Sequence, residues 1–341
     1  MTKFELWGKE VELDYPDKVS FLSNSELKEV EQNLDSCQHE WMQSKTGEWL
    51  HCRKFLPPTA PKGVVVFCHG IQTHSGRSLI VNGRKLSTTL MADHFVNKHG
   101  FALYALDLLG HGFSEGLRAY VPDYEINKED LNAFTEKAHK EHPSVPLFLL
   151  GHSYGASLCI HVATDYWQDK PHFGGLLLLA TATRGDLPPP IVVWLLADVL
   201  AKCFAKSVPF FMPNPVSSDR IWRDEDVYKI NCSELLRKVD TSGTPFRLGT
   251  AAQLIRALTD LRNVVIPKLK APYVAVHGSD DFAVPVSDVV FLEQHAATPK
   301  EDSTVVIIDG AYHDLLCDPA AEETMEHLDK FIVERMEQMK E

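Results

Sequence analysis

Short apolar runs, rich in leucine and β-branched residues, recur along the chain, and each stops at glycine, aspartate or another small residue. They are GVVVFCHG at 63–70, FALYALD at 101–107, LFLLG at 147–151, GLLLLA at 175–180, YVAVHG at 273–278 and TVVIIDG at 304–310. Runs this short, with no polar alternation, predict strands of a parallel sheet covered on both faces. Between most of them lie stretches of helical character, among them EDLNAFTEKAHKEH and the C-terminal AAEETMEHLDKFIVERMEQMK. That alternation predicts an α/β architecture. Ahead of it, HEWMQSKTGEWLHCRKF predicts a hairpin turning at Thr46-Gly47, an antiparallel start to the sheet.

One interval breaks the rhythm. From Thr183 to Pro267 no strand pattern fits: the chain opens with PPP, runs through IVVWLLADVLAKCFAKSVPFF and later reads GTAAQLIRALTDL. An insertion of that length in an α/β sheet predicts a functional lid rather than a structureless loop. The expected organisation is a core in two parts, residues 1–182 and 268–341, with a helical cap at 183–267.

Composition narrows the class. The 341 residues are 44% hydrophobic and 24% charged, ample for a large core. Thirty-four Lys and Arg against 47 Asp and Glu give a net charge of −13, which argues against nucleic acid as a partner. Seven cysteines, odd in number and without a C-x-x-C pair, predict reduced thiols rather than a disulfide framework. The N-terminal MTKFELWGKEVELDYPDK is too charged for a signal peptide, and no run reaches the ~18 apolar residues of a spanning helix. A soluble, cytoplasmic protein is the expectation, with peripheral contact to membranes or lipid droplets left open; oligomeric state is not readable.

The chemistry lies in Gly151-His152-Ser153-Tyr154-Gly155, a G-x-S-x-G between a predicted strand and a predicted helix. A nucleophile on a tight strand-to-helix turn needs neighbours without Cβ atoms, which Gly151 and Gly155 supply. The helix that follows aims its N-terminal N–H groups at developing negative charge. A serine hydroxyl still needs a base, and the base needs an acid to orient it. His313 follows the TVVIID strand, and Asp281 follows YVAVHG. Asp280 competes for the acid role, but the G-x-x-D spacing from Gly278 favours Asp281. The chain order Ser153, Asp281, His313 is that of α/β-hydrolases. Two backbone N–H groups would stabilise the oxyanion: that of Tyr154, and that of Ile71 in the loop after the first parallel strand, where Gly70 permits close approach.

These segments together resemble the monoacylglycerol lipases and related lysophospholipases of the α/β-hydrolase superfamily. HGIQTHSGR, ALDLLGHGFSEG, GHSYGAS, VHGSDDFAVP and GAYHDLL occur in that family's order and spacing across residues 40–335. The resemblance implies an α/β-hydrolase fold, a mostly parallel eight-stranded sheet flanked by helices with an inserted helical cap. It implies hydrolysis of a long-chain acyl ester, monoacylglycerol first and lysophospholipid second, through an acyl-enzyme on Ser153. A broader carboxylesterase or acyltransferase, and a ligand-binding scaffold without turnover, are the alternatives. Three departures stand out. Ile71 and Tyr154 occupy positions that usually hold alanine and methionine, and SLIVNGRKLSTTLM after HSGR runs several residues long.

In the cap stretch 191–206, Asp198, Lys202 and Lys206 recur every four positions, with Asp198 and Lys202 placed for an i,i+4 pair. The rest of that helix is apolar, either buried against the core or forming a lid that lines an acyl tunnel or meets a bilayer. Gly110-His111-Gly112 reads as a solvent-side loop, and His139 with His142 as a solvated helix face. Asp318 makes an H-x4-D pattern with His313 but sits where a helix start favours an acid. No H-E-x-x-H or Cys/His ligand set is present, so neither metal nor cofactor is expected.

Overall fold

The computed structural model describes residues 2–6, 9–13, 22–34, 36–184, 190–209 and 217–340. The strands are β1 (Thr2–Leu6), β2 (Lys9–Leu13), β3 (Cys37–Gln43), β4 (Trp49–Phe55), β5 (Val64–Cys68), β6 (Ser78–Val81), β7 (Arg84–Leu86), β8 (Ala102–Leu106), β9 (Leu147–His152), β10 (Phe173–Leu179), β11 (Tyr273–Gly278) and β12 (Ser303–Ile308). Ten of them form one sheet in the order β12-β11-β10-β9-β5-β8-β4-β3-β1-β2. From β8 to β12 the pairings are parallel; β4 joins β8 antiparallel, and β3 joins β4 antiparallel. The expected eight-stranded, mostly parallel sheet is therefore present, and β1, parallel to β3, and β2, antiparallel to β1, extend its edge.

The helices are α1 (Asn24–Val30), α2 (Ser87–Met91, prolonged by a π turn over Ala92–Lys98), α3 (Tyr124–Glu141) and α4 (Tyr154–Val162). After β10 come α5 (Pro190–Trp194, continuing through Leu195–Leu200 to Ala201–Phe204), α6 (Glu225–Asn231) and α7 (Leu248–Asp260), followed by α8 (Ser287–His295) and α9 (Ala321–Gln338).

The apolar runs of the inner strands are continuous because those strands are buried on both sides, while the edge strand β12 leaves Ile307 exposed. In β5, Val64 and Val66 join a core with Leu131 and Phe134 of α3 and Leu158 of α4, while Val65 and Phe67 join Phe95, Leu328 and Phe331 on the opposite face. Alternate residues of one strand thus feed two cores, each removing about 25 cal/mol of unfavourable hydration per Å² buried.

Between β10 and β11 the described residues are helices and turns. Pro188, Pro189 and the FFM run at 210–212 lie outside them. Within α5 the alanines turn inward: Ala197 and Ala201 are buried with Leu248 and Ala252 of α7. The large side chains turn outward, with Ile191 68%, Phe204 59% and Trp194 53% exposed. The expected Asp198–Lys202 pair is not made. The π geometry at Leu195–Leu200 unwinds the four-residue register, and Asp198 faces Arg256 at 3.7 Å instead.

Two other expectations are corrected. The 110–112 loop is buried, with His111 only 1% exposed and its Nδ1 at 2.9 Å from the Leu109 carbonyl. His139 is half-buried, stacked on His172 at 3.7 Å, and His142 reaches the Tyr104 hydroxyl at 3.0 Å. The long SLIVNGRKLSTTLM stretch forms the β6–β7 hairpin, turning at Asn82-Gly83, and then α2.

Candidate active site

Parallel strands deliver their C-terminal ends to one edge of the sheet, and the predicted residues all follow such ends. Ser153 sits between β9 and α4 at φ 55°, ψ −120°. A non-glycine residue there stores roughly 1–3 kcal/mol of backbone strain. The surroundings hold it: Ser153 N donates to the Leu179 carbonyl at 2.8 Å, and its own carbonyl accepts from Ala156 N at 3.0 Å to start the helix. The glycines on either side are sterically required. A Cβ on Gly155 would lie 2.2 Å from the Cys68 carbonyl oxygen, and one on Gly151 would lie 2.4 Å from Ala156 Cα.

The side chain of Asp281, beyond β11, is fully buried. Its Oδ1 accepts from Ala283 N at 2.8 Å and Val284 N at 2.9 Å, which leaves Oδ2 for His313 Nδ1 at 2.8 Å. Asp280 is exposed, so the structure brings His313 to Asp281. Burial opposes an ionised Asp281, but the charge and hydrogen bond of His313 outweigh it, and the carboxyl stays below its usual range. Burial likewise disfavours a charged His313, yet the Asp281 carboxylate holds the imidazole above the ordinary histidine value. With Nδ1–H donated to Asp281, Nε2 is the nitrogen left to accept a proton.

His152 supports this arrangement. Its ring lies 5.0 Å from that of His313, and its Nε2 is 3.1 Å from the His313 carbonyl. Burial, and then the His313 charge, push it down to about 4, so it remains neutral.

The loop after β5 closes the other side. Gly70 passes so near the elbow that a Cβ there would stand 3.2 Å from both His152 Nδ1 and Ser153 Cβ. Among the described residues the N–H groups of Ile71 and Tyr154 donate to no protein acceptor. Both residues line the cavity that Ser153 and His313 also line. The buried Tyr154 hydroxyl accepts from Asn127 Nδ2 at 3.3 Å.

That cavity holds about 860 Å³ between atoms, counting its open mouth. Ala182, Ile221, Phe246, Leu254, Leu258 and Val284 make most of it apolar. Its polar end has members that sequence reasoning missed. Arg77 forks onto Asp314, which also accepts from Trp222 Nε1 at 2.8 Å, and Arg77 Nε lies 3.5 Å from Asp240. The signal was faint: an arginine closing HSGR and an acid next to His313.

The arrangement can transfer an acyl group. It has a serine on a strained elbow, an imidazole with one nitrogen free, a buried carboxylate behind it, and unused N–H donors beside it. Comparison with known proteins agrees. The model of the serine aminopeptidase S33 family matches residues 59–320. The chain is 30% identical over 273 residues to the monoglyceride lipase of Rattus norvegicus, covering 78% of this chain and 80% of that one. It is 27% identical over 286 residues to the monoacylglycerol lipase of Mycolicibacterium smegmatis, covering 83% and 92%. Among solved structures, the Paleococcus ferrophilus monoacylglycerol lipase superposes with a TM-score of 0.65 at 23% identity, over 84% of this chain and 99% of that one. A Bacillus coagulans carboxyl esterase in complex with glycerol gives 0.69 at 18% identity, over 88% and 99%, and both likenesses establish the fold. The chain therefore belongs to the serine aminopeptidase S33 family of α/β-hydrolases, in the group that resembles the monoacylglycerol lipases, and is an ester hydrolase.

Proposed function

We propose that the chain is a monoacylglycerol lipase that works through an acyl-enzyme on Ser153. Ser153 Oγ attacks the ester carbonyl as His313 Nε2 takes its proton, and Asp281 steadies the imidazolium. The Ile71 and Tyr154 N–H groups receive the oxyanion. Collapse expels glycerol, protonated by His313, and a water then repeats the sequence to release the fatty acid.

The observation that carries the substrate is the chemistry of the cavity. Its long apolar wall suits an acyl chain, and its polar end is charge-compensated. Arg77 already faces Asp314 and Asp240, which favours the neutral hydroxyls of glycerol over the phosphate of a lysophospholipid.

Residues 183–267 act as a cap in this reading. Thr241 N donates to the Gln72 carbonyl at 2.8 Å, and Thr73 Oγ1 donates to Asp240 Oδ2 at 2.9 Å, tying that segment to the loop beside Ser153. The outward face of α5 rests on a bilayer or droplet surface. Its alanines already occupy α7, and Ile191, Trp194, Leu195 and Phe204 are left exposed. Among the described residues no helix is long and apolar enough to cross a membrane.

Fatty acid release from 1- and 2-monoacylglycerols, lysophosphatidylcholine and short p-nitrophenyl esters, wild type beside Ser153→Ala, tests the assignment. Monoacylglycerol should have the highest kcat/KM, abolished in the variant. Preference for lysophosphatidylcholine or for short esters would overturn it.

A further inference from the structure

The loop that carries Ile71 is held by a histidine to which the mechanism above gives no role. His69 ends β5 with its ring 1% exposed, packed 5.5 Å from the ring of His111. Two contacts fix its protonation. The backbone N–H of Leu108, just beyond β8, donates to His69 Nε2 at 3.0 Å, so Nε2 carries a lone pair. Burial keeps the imidazole neutral, and its single proton therefore sits on Nδ1. Nδ1 lies 2.7 Å from the carbonyl oxygen of Gly70 and donates to it.

That carbonyl belongs to the same peptide unit as the Ile71 N–H. In a trans peptide the two groups point in opposite directions, so fixing one fixes the other. We propose that His69 is a positioning residue for ester hydrolysis: its Nδ1–H draws the Gly70 carbonyl into the core and keeps the Ile71 N–H turned into the cavity beside Ser153. The proposal rests on Ile71 N–H being an oxyanion donor.

The adjacent turn secures the far end of the loop as well. Asp107 Oδ1 accepts from Ser75 N at 2.7 Å and from Ser75 Oγ at 2.8 Å. Residues 107 and 108 thus hold the loop at both ends, the carboxylate on Ser75 and the Leu108 N–H on His69. Strand order makes this available, because β5 and β8 are parallel neighbours with Cys68 opposite Leu106. A ring present only to fill space would be replaceable by any side chain of similar bulk. A tautomer-locked donor would not.

Asparagine and glutamine at position 69 separate the two roles. The Asn amide sits where Nδ1 does and can donate to Gly70; the Gln amide reaches the Leu108 end and leaves Gly70 without a donor. The experiment measures kcat and KM for a long-chain p-nitrophenyl ester. It also measures Ki for an alkyl trifluoromethyl ketone, which adds to the serine hydroxyl as a hemiketal bearing an oxyanion. Losing one oxyanion donor costs ~10²–10³ in kcat. His69→Gln should lower kcat about 10- to 10³-fold, raise Ki by a similar factor and leave KM within about threefold, while His69→Asn stays within about tenfold of wild type. Equal losses in both variants, or a fall in kcat with Ki unchanged, would overturn the positioning role. Should Gln at 69 fail to fold by near-ultraviolet circular dichroism, His69→Asn against His69→Ser carries the same contrast. A wild type that forms no hemiketal would overturn the Ser153 reading, and this proposal with it.

Discussion

Replacing Asp281 by Asn removes one charge while leaving the side-chain volume nearly unchanged. The amide has no choice of orientation. Ala283 N and Val284 N donate to Oδ1 at 2.8 and 2.9 Å, so the Asn carbonyl must face them and its NH₂ must face His313. A donor now meets His313 Nδ1, which forces the imidazole proton onto Nε2 and removes the lone pair that Ser153 needs. Two unit charges 2.8 Å apart attract by roughly 6 kcal/mol at an effective dielectric constant near 20. A loss of ~10⁴ in kcat, as wrong-tautomer substitutions in serine triads produce, corresponds to about 5.5 kcal/mol, so the two magnitudes are compatible. KM should hold, because Asp281 does not line the cavity.

The pH profile gives a second sign. His313 must be neutral to act as base, and its folded value lies above the ordinary ~6.5 because of Asp281. Wild-type activity should therefore fall as pH drops through a midpoint above ~6.5. In Asp281→Asn the two Asp281 contributions are gone; burial and the Arg77 charge favour the neutral ring against the smaller pull of Asp314, and the midpoint should move to lower pH. Steady-state kinetics with a p-nitrophenyl ester from about pH 5 to 9 reads both effects. A variant within tenfold of wild-type kcat, or an acid limb that stays in place, would refute the reasoning.

Gly155→Ala puts a Cβ 2.2 Å from the Cys68 carbonyl oxygen, and neither backbone can yield, so thermal unfolding should show a loss above ~3 kcal/mol; an unchanged Tm would count against the elbow packing. Arg53 bridges the buried Asp107 and the nearly buried Glu31 at 2.9 and 2.7 Å, so Arg53→Met should cost about 3–5 kcal/mol in urea titration. Burial would raise the Asp107 carboxyl, but the Arg53 charge outweighs it and holds the group well below its ordinary value, so wild-type stability from this group persists above the unfolded pKa near 4 and fades only below it. In the variant, without the Arg53 charge to depress Asp107, the share of stability lost on acidification should shrink. Leu195→Glu places a charge on the exposed apolar face of α5, and co-sedimentation with liposomes should drop several-fold with activity on a short soluble ester unchanged; equal binding would remove the membrane role.

The parts of the fold that were legible are those where one physical signal dominates. Val64–Cys68 and Leu176–Leu179 are buried on both faces, and such strands cannot hide in a sequence. The β6–β7 hairpin was legible in principle from Asn82-Gly83, as were β1 and β2 from the alternation in TKFEL and KEVEL, but β1, β2 and β7 are short and charged, so their apolar signal is weak. At the site, Ser153, Asp281 and His313 announce themselves by following strand ends. Arg77 and Asp314 do not, because their partnership spans 237 positions and depends on Trp222 from a third segment. His111 looked exposed for the same reason. A glycine-flanked histidine carries no local sign that folding will wrap it around Asp107.

The central claim is that Ser153 is a nucleophile made reactive by His313. Intact-protein and peptide mass spectrometry after a brief exposure to a fluorophosphonate tests it directly. The account predicts one adduct per chain, mapped to Ser153, absent in Ser153→Ala and slowed by orders of magnitude in His313→Ala. Labelling at another serine, or labelling of Ser153 at full rate without His313, would contradict it.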